Sequence, residues 1–266
     1  MSTILVLLLL TWIVLHLILH PKPTQNPIMI SHRGAAGLAP ENTLASVREA
    51  TRRGAQFIEV DVQRSTDGIL VLMHDRTVSR TTNGKGWIGQ LTWDEIRELD
   101  AGSHFSPRFA GESIPSLEST LELIKEQNVT LVLEAKNPSL YPGIEKQIAE
   151  TLQRFDATEQ VIVVSLDRDW LERFNELAPD IPKGYLCLWT YNSLQIPTVG
   201  IVGVYWPSVI LDPTLVRRIH HQGRQVLAWT VNDVRLIGLL IGLGVDSITT
   251  DHPEVWPEAA GTNSPG

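Results

Sequence analysis

Two histidines, each next to a charged residue, and a pair of acids one residue apart mark the first third of the chain: His32-Arg33-Gly34, Glu59-Val60-Asp61 and His74-Asp75. Each group ends or lies within a short β-like run, so these side chains can converge at one end of a sheet. Glu59 and Asp61 share a strand face, with Ile58 and Val60 on the other. Two carboxylates side by side repel and raise each other's pKa unless a cation lies between them. Glu134, at the end of a later strand, offers a third carboxylate, and Lys136 shares its face. An all-oxygen donor set prefers a hard ion, Mg²⁺, Ca²⁺ or Mn²⁺, over zinc. Imidazole titrates near neutrality, so one histidine can accept a proton while the other donates. Arg33 brings a planar fork for phosphoryl oxygens, and Lys136 a point charge. Together these groups suit metal-assisted cleavage of a phosphate ester.

Each residue also has a plainer reading. A lone Glu-x-Asp is usually a solvated strand end, here paired with Arg64 or Lys136. A lone histidine at a strand end is usually structural. Arg33 can clamp Glu41 or Glu59, and Asp75 can orient His74 or cap the segment after it. Glu41 and Asn42 stand at the start of a helix, where they serve as caps or support the site from behind. Trp229 either walls a pocket or packs the core, and Asp251 is a cap or a hydrogen-bond partner to the site. Gly34 lets the first loop turn sharply. No Gly-x-Ser-x-Gly elbow or Walker-type loop is present, and His32 and His74 are not spaced as a helical zinc pair.

Positioning these groups needs many short strands. Runs at 28–31, 57–63, 131–135, 161–165, 183–188, 203–211, 225–230 and 247–250 read as eight strands, with an extra one at 68–75 opened by Asp67-Gly68. Helical patterns at 43–53, 116–127, 144–154, 168–177, 213–222 and 233–243 fall between them, with Pro213 at a first turn and Asn232 or Asp233 as a cap. Repeated βα units make a (β/α)₈ TIM barrel the leading α/β architecture, with a doubly wound open sheet as the alternative. The stretch 76–115 is too irregular for one crossover helix and reads as an insertion holding a short helix at 92–99.

The same residues resemble the glycerophosphodiester phosphodiesterase family, whose hallmark is His-Arg, then Glu-x-Asp, then His-Asp. Pro40-Glu41-Asn42-Thr43, Arg80-Thr81-Thr82-Asn83-Gly84, Leu133-Glu134-Ala135-Lys136, Trp229-Thr230-Val231-Asn232 and the 244–251 stretch extend the likeness from about residue 28 to 253. The resemblance implies Glu59, Asp61 and Glu134 as metal ligands, His32 and His74 as acid and base, and Arg33 and Lys136 at the phosphate. It places Glu41 and Asn42 behind the site and the insertion over the barrel mouth. Its implied activity is hydrolysis of a glycerophosphodiester to glycerol 3-phosphate and an alcohol, by attack of the adjacent glycerol hydroxyl and opening of a cyclic phosphate. A lysophospholipase D-type enzyme on membrane lipids and a silent phosphodiester-binding barrel are the alternatives. Ser165-Leu166 and Ala135 depart from the family's usual aromatic and larger aliphatic at those points.

The 266-residue chain is 43% hydrophobic, enough for one large core, and its net charge of −8 argues against a nucleic-acid partner. An anionic substrate stays admissible because a bound cation reverses the local field. Cys187, the only cysteine, sits in an apolar run and reads as a core thiol. Residues 4–19 are apolar apart from Thr11 and His16. No Lys or Arg precedes them and Pro21-Lys22-Pro23 follows, so 1–20 is expected to be an uncleaved membrane anchor, with a signal segment as the alternative. Lys22 favours a cytoplasmic catalytic domain. A linker over 21–27, a catalytic domain over 28–258 and a tail over 259–266 complete the expected layout.

Overall fold

The computed structural model describes residues 6–9, 11–12, 27–125, 127–188, 198–212 and 214–256. Eight parallel strands close on themselves: β1 (Ile28–Ser31), β2 (Phe57–Arg64), β4 (Thr130–Ala135), β5 (Val161–Ser165), β6 (Lys183–Cys187), β7 (Ile201–Tyr205), β8 (Gln225–Trp229) and β9 (Ser247–Thr250). Closure comes from β1, which pairs with β9 on one side and β2 on the other. A ninth strand, β3 (Leu70–Leu72), adds to β2 antiparallel. The barrel is therefore a (β/α)₈ barrel, and the open-sheet alternative falls with the β1–β2 pairing.

Period two sorts the side chains. Ile30, Val132, Val164, Leu186 and Leu227 form a buried cluster inside the barrel. Ile58, Val60 and Val62 of β2 belong instead to the outer core, packed with residues of α1 (Leu44–Arg52), α3 (Leu117–Ile124), α4 (Ile144–Arg154) and α5 (Arg168–Leu177). The insertion has its own small core of Val71, Met73, Val78, Ile88, Ile96, Ala101 and Ile114, and carries α2 (Trp93–Arg97). Helix starts follow cap chemistry. Thr43 and Ser46 cap α1 reciprocally, Asp167 caps α5, and Asp233 rather than Asn232 caps α8 (Val234–Gly242).

Several elements differ from the sequence expectation. The run at 203–211 is not one strand: β7 ends at Tyr205 and α6 (Pro207–Leu211) follows. Pro207 has no N–H for a ladder but its fixed φ suits a first helical turn, which overrides the β-branched composition. The extra strand spans three residues rather than eight, so His74 lies two residues past its end. β6 stops at Cys187, whose side chain is buried as expected, and Leu188 is exposed. The helix expected over 213–222 is α7 (Leu215–His220); Pro213 is outside the described residues. Most of the expected anchor and linker and all of the expected tail also lie outside them. No helix among the described residues is long and apolar enough to cross a membrane.

Candidate active site

The barrel register brings the acids together. Asp61 of β2 stands opposite Glu134 of β4, and Glu59 opposite Val132. One carboxylate oxygen from each of Glu59, Asp61 and Glu134 lies within 4.8 Å of the others, and all three residues are buried. The β1 loop closes over them. Arg33 has φ 48° and Gly34 φ 84°, a left-handed pair that turns the chain back so that Arg33 N–H donates to Glu59 Oε2 at 2.8 Å and Gly34 N–H to Glu59 O at 2.9 Å. A Cβ on residue 34 would collide with Ser46, so the turn needs glycine. Asn42, at φ 55°, is not a cap: its amide donates to Asp61 Oδ2 at 2.8 Å and its carbonyl accepts from Asp61 N at 3.0 Å.

The basic residues clamp the acids of the site. The Arg33 guanidinium donates to Glu41 Oε1 at 2.9 Å and its Nε lies 3.3 Å from Asp61 Oδ2. Lys136 Nζ is 2.7 Å from Glu134 Oε1 and 3.3 Å from Asp61 Oδ1. The expectation that paired acids both rise in pKa holds for one of them. Burial, Asp61 and Glu134 push Glu59 well above its usual range. Burial raises Asp61 too, but Lys136, Arg33 and the two imidazoles hold it at about 2. Glu134 is pushed up to about 7 by burial and Asp61, against the pull of Lys136.

Both imidazoles are oriented from behind. His32 Nδ1 lies 2.6 Å from Asp251 Oδ1, and Asp251 in turn accepts from the Asn232 amide at 2.6 Å. His74 Nδ1 lies 2.7 Å from Asp75 Oδ1, and Asp75 Oδ2 accepts from Arg80 Nε at 2.6 Å. Asp75 is held at about 2 by Arg80 and His74 despite partial burial, and Asp251 is kept low by His32. An ionised carboxylate can only accept, so each Nδ1 carries a proton and each Nε2 is left for chemistry. His32 Nε2 is 3.9 Å from Glu59 Oε2. Burial lowers the pKa of His74. Asp75 and Asp251 thus take the hydrogen-bonding reading rather than the cap.

His32, Arg33, Glu59, His74, Glu134, Lys136 and Trp229 line one narrow cavity of about 90 Å³, floored by Val132, Val164, Leu186 and Leu227. Trp229 is therefore a wall residue; its buried Nε1–H has no partner among the described residues. Leu166, where the family's usual aromatic is missing, faces the same cavity, and Ala135 accepts from Ser165 Oγ beneath it.

Glu59 Oε1 is buried and accepts no hydrogen bond, and the buried Asp61 Oδ1 and Glu134 Oε1 have only the Lys136 ammonium beside them. Buried oxygens left short of partners, gathered on one side of a cavity, fit a hard divalent cation. Because a cation must displace the protons that burial favours on both Glu59 and Glu134, affinity for Mg²⁺ or Ca²⁺ should rise with pH through the neutral range. Calorimetry in buffers of different ionisation enthalpy should record proton release on binding there. Affinity that does not change with pH contradicts this.

Three supporting residues escaped the sequence reading. Gln63 is fully buried, and its amide donates to the carbonyls of Met73, His74 and Asp75 at 2.8, 3.2 and 2.6 Å, fixing the segment that carries His74. Its signal was available: residue 63 continues the face of Glu59 and Asp61. Arg80 joins Asp75 to Glu41 from a loop with no periodicity to mark it. Asn232, read as a cap, instead holds Asp251.

The profile of the Glycerophosphoryl diester phosphodiesterase family matches residues 32–255. A glycerophosphodiester phosphodiesterase of Caldanaerobacter subterraneus is 37% identical over 234 residues, covering 85% of this chain and 95% of the relative. One from Bacillus subtilis is 31% identical over 249 residues, covering 86% and 85%. Among solved structures, a phosphodiesterase from Oleispira antarctica in complex with the product sn-glycerol-3-phosphate superposes with a TM-score of 0.83 at 32% identity, covering 88% of this chain and 96% of the other.

Proposed function

The chain belongs to the glycerophosphoryl diester phosphodiesterase family and is a phosphoric diester hydrolase, and on that footing we propose that it cleaves a glycerophosphodiester to sn-glycerol 3-phosphate and an alcohol, with His32 and His74 carrying the protons. One observation supports the reading above the rest: two imidazoles, each fixed at Nδ1 by an ionised carboxylate, share a cavity with two of the three clustered acids and two basic groups.

A divalent cation held by Glu59, Asp61 and Glu134 would supply charge neutralisation at the phosphoryl oxygens. Arg33 and Lys136, held in place by Asp61, Glu41 and Glu134, present N–H donors on the cavity wall. One imidazole takes the proton from the glycerol hydroxyl next to the phosphate as that oxygen attacks phosphorus. The P–O bond to the alcohol breaks, and the other imidazole protonates the leaving oxygen. A five-membered cyclic phosphate remains. Water opens it with the proton roles reversed, which restores both histidines. His74, Glu134 and Lys136 also border an adjoining groove of about 530 Å³ that includes Leu166 and Asp167, giving the alcohol a way out.

Purified protein should release glycerol 3-phosphate from glycerophosphocholine or glycerophosphoethanolamine, read by a coupled dehydrogenase, and lose this activity in EDTA until Mg²⁺, Ca²⁺ or Mn²⁺ is restored. Head-group release from lysophospholipid vesicles well above that from soluble diesters would move the substrate class to membrane lipids. No product from either would leave a binding barrel.

A further inference from the structure

Between the insertion and the segment after β4 lies a second cavity, of about 560 Å³, whose lining includes Arg64, Asp67, Arg76, Trp87, Leu140 and Tyr141. Arg64 ends β2, Arg76 and Trp87 belong to the insertion, and Leu140 and Tyr141 follow β4. The Arg76 guanidinium lies over the Trp87 ring, 4.7 Å from its centroid, and Arg64 over the Tyr141 ring at 5.8 Å. Such stacking uses the face of the guanidinium and leaves its N–H edge for an acceptor. The Arg64 edge spends one bond on Pro142 O. Neither arginine makes an ion pair with any described carboxylate, unlike Arg33 and Arg80 near the mouth. The one acid in the lining, Asp67, is occupied by Ser65 Oγ and Trp93 N.

Two guanidiniums with spare donors, concentrated on a chain of net charge −8, select an anion. Trp87 and Leu140 are 49% and 47% exposed and give the same cavity an apolar rim. That pairing suits a molecule with a charged head and a less polar body. The cavity also adjoins the catalytic machinery: Tyr141 Oη donates at 3.0 Å to Gln63, whose amide holds the backbone of His74.

We propose that this cavity is a second binding site, for a phosphate-bearing molecule whose anionic group lies between Arg64 and Arg76 and whose apolar part covers Trp87 and Leu140. The site does not depend on the catalytic reading. Inorganic phosphate titrated into the full chain by calorimetry should occupy one site more than in the Arg64→Gln/Arg76→Gln variant. Hydrolysis of a soluble diester should be unchanged in that variant. Vesicles separate the sources: sedimentation with phosphatidylglycerol but not phosphatidylcholine vesicles, weakened at least tenfold in the variant, assigns a lipid head group. A change in phosphate stoichiometry alone assigns a soluble phosphate. Arg76→Gln by itself, altering one exposed side chain, repeats the test should the double variant misfold. Phosphate stoichiometry and vesicle binding that are the same in wild type and variants overturn the proposal.

Discussion

His32→Ala is expected to lower kcat by about 10²- to 10⁴-fold, the usual worth of a positioned proton carrier, while the fold and metal affinity persist. His32 is a strand-end residue whose backbone N–H pairs with Thr250, and alanine keeps that bond. The lost group is the Nε2 that faces Glu59 from a ring fixed by Asp251. His74→Ala should act on the same scale. Asp251→Asn should cost less, about 10- to 100-fold, because the ring remains but its tautomer and angle are no longer imposed. A pH–rate profile distinguishes the roles: wild type should be bell-shaped, and each alanine variant should lose one limb. Wild-type kcat in either variant would remove that histidine from the chemistry.

Glu134→Gln should weaken divalent-cation affinity at least 100-fold, beyond what outer positions usually contribute, with activity partly recovered at high metal concentration. The amide keeps the shape and can still meet Lys136, so folding should be little affected. Asp61→Asn is a harsher change. Asp61 is fully buried and ionised, and it faces Arg33 and Lys136 at 3.3 Å each. Removing its charge leaves two partly buried cations short of a partner, a cost of about 3–5 kcal/mol. The contrast between a clean metal phenotype at 134 and a combined metal and stability phenotype at 61, read by calorimetry and thermal melting, follows from the asymmetry in their surroundings. Equal metal affinity for wild type and Glu134→Gln would take Glu134 out of the ligand set.

Much of this arrangement was legible from spacing alone. Alternation placed Glu59 and Asp61 on one face, and strand-end positions gathered His32, Glu134, Lys136, Trp229 and Asp251 at one mouth, because a closed parallel barrel sends every strand's carboxyl end the same way. What spacing could not convey were contacts between loops. Asn42 and Arg80 act through side chains that reach across the mouth, and no local periodicity marks them. The Asp67-Gly68 turn signal points to a strand that reaches His74; β3 ends earlier, and Gln63 holds the segment instead. Pro207 was the visible clue that the 203–211 run could not stay extended. The pKa of Asp61 depended on two cations and two imidazoles that only the fold brings close.

The central claim, that three acids from two neighbouring strands gather one cation between paired imidazoles, is tested most directly by soaking crystals in Mn²⁺ and locating the metal by anomalous scattering. A single strong peak about 2.0–2.6 Å from carboxylate oxygens of Glu59, Asp61 and Glu134 is the expected result. A peak elsewhere, or none at a concentration that supports turnover, would contradict it.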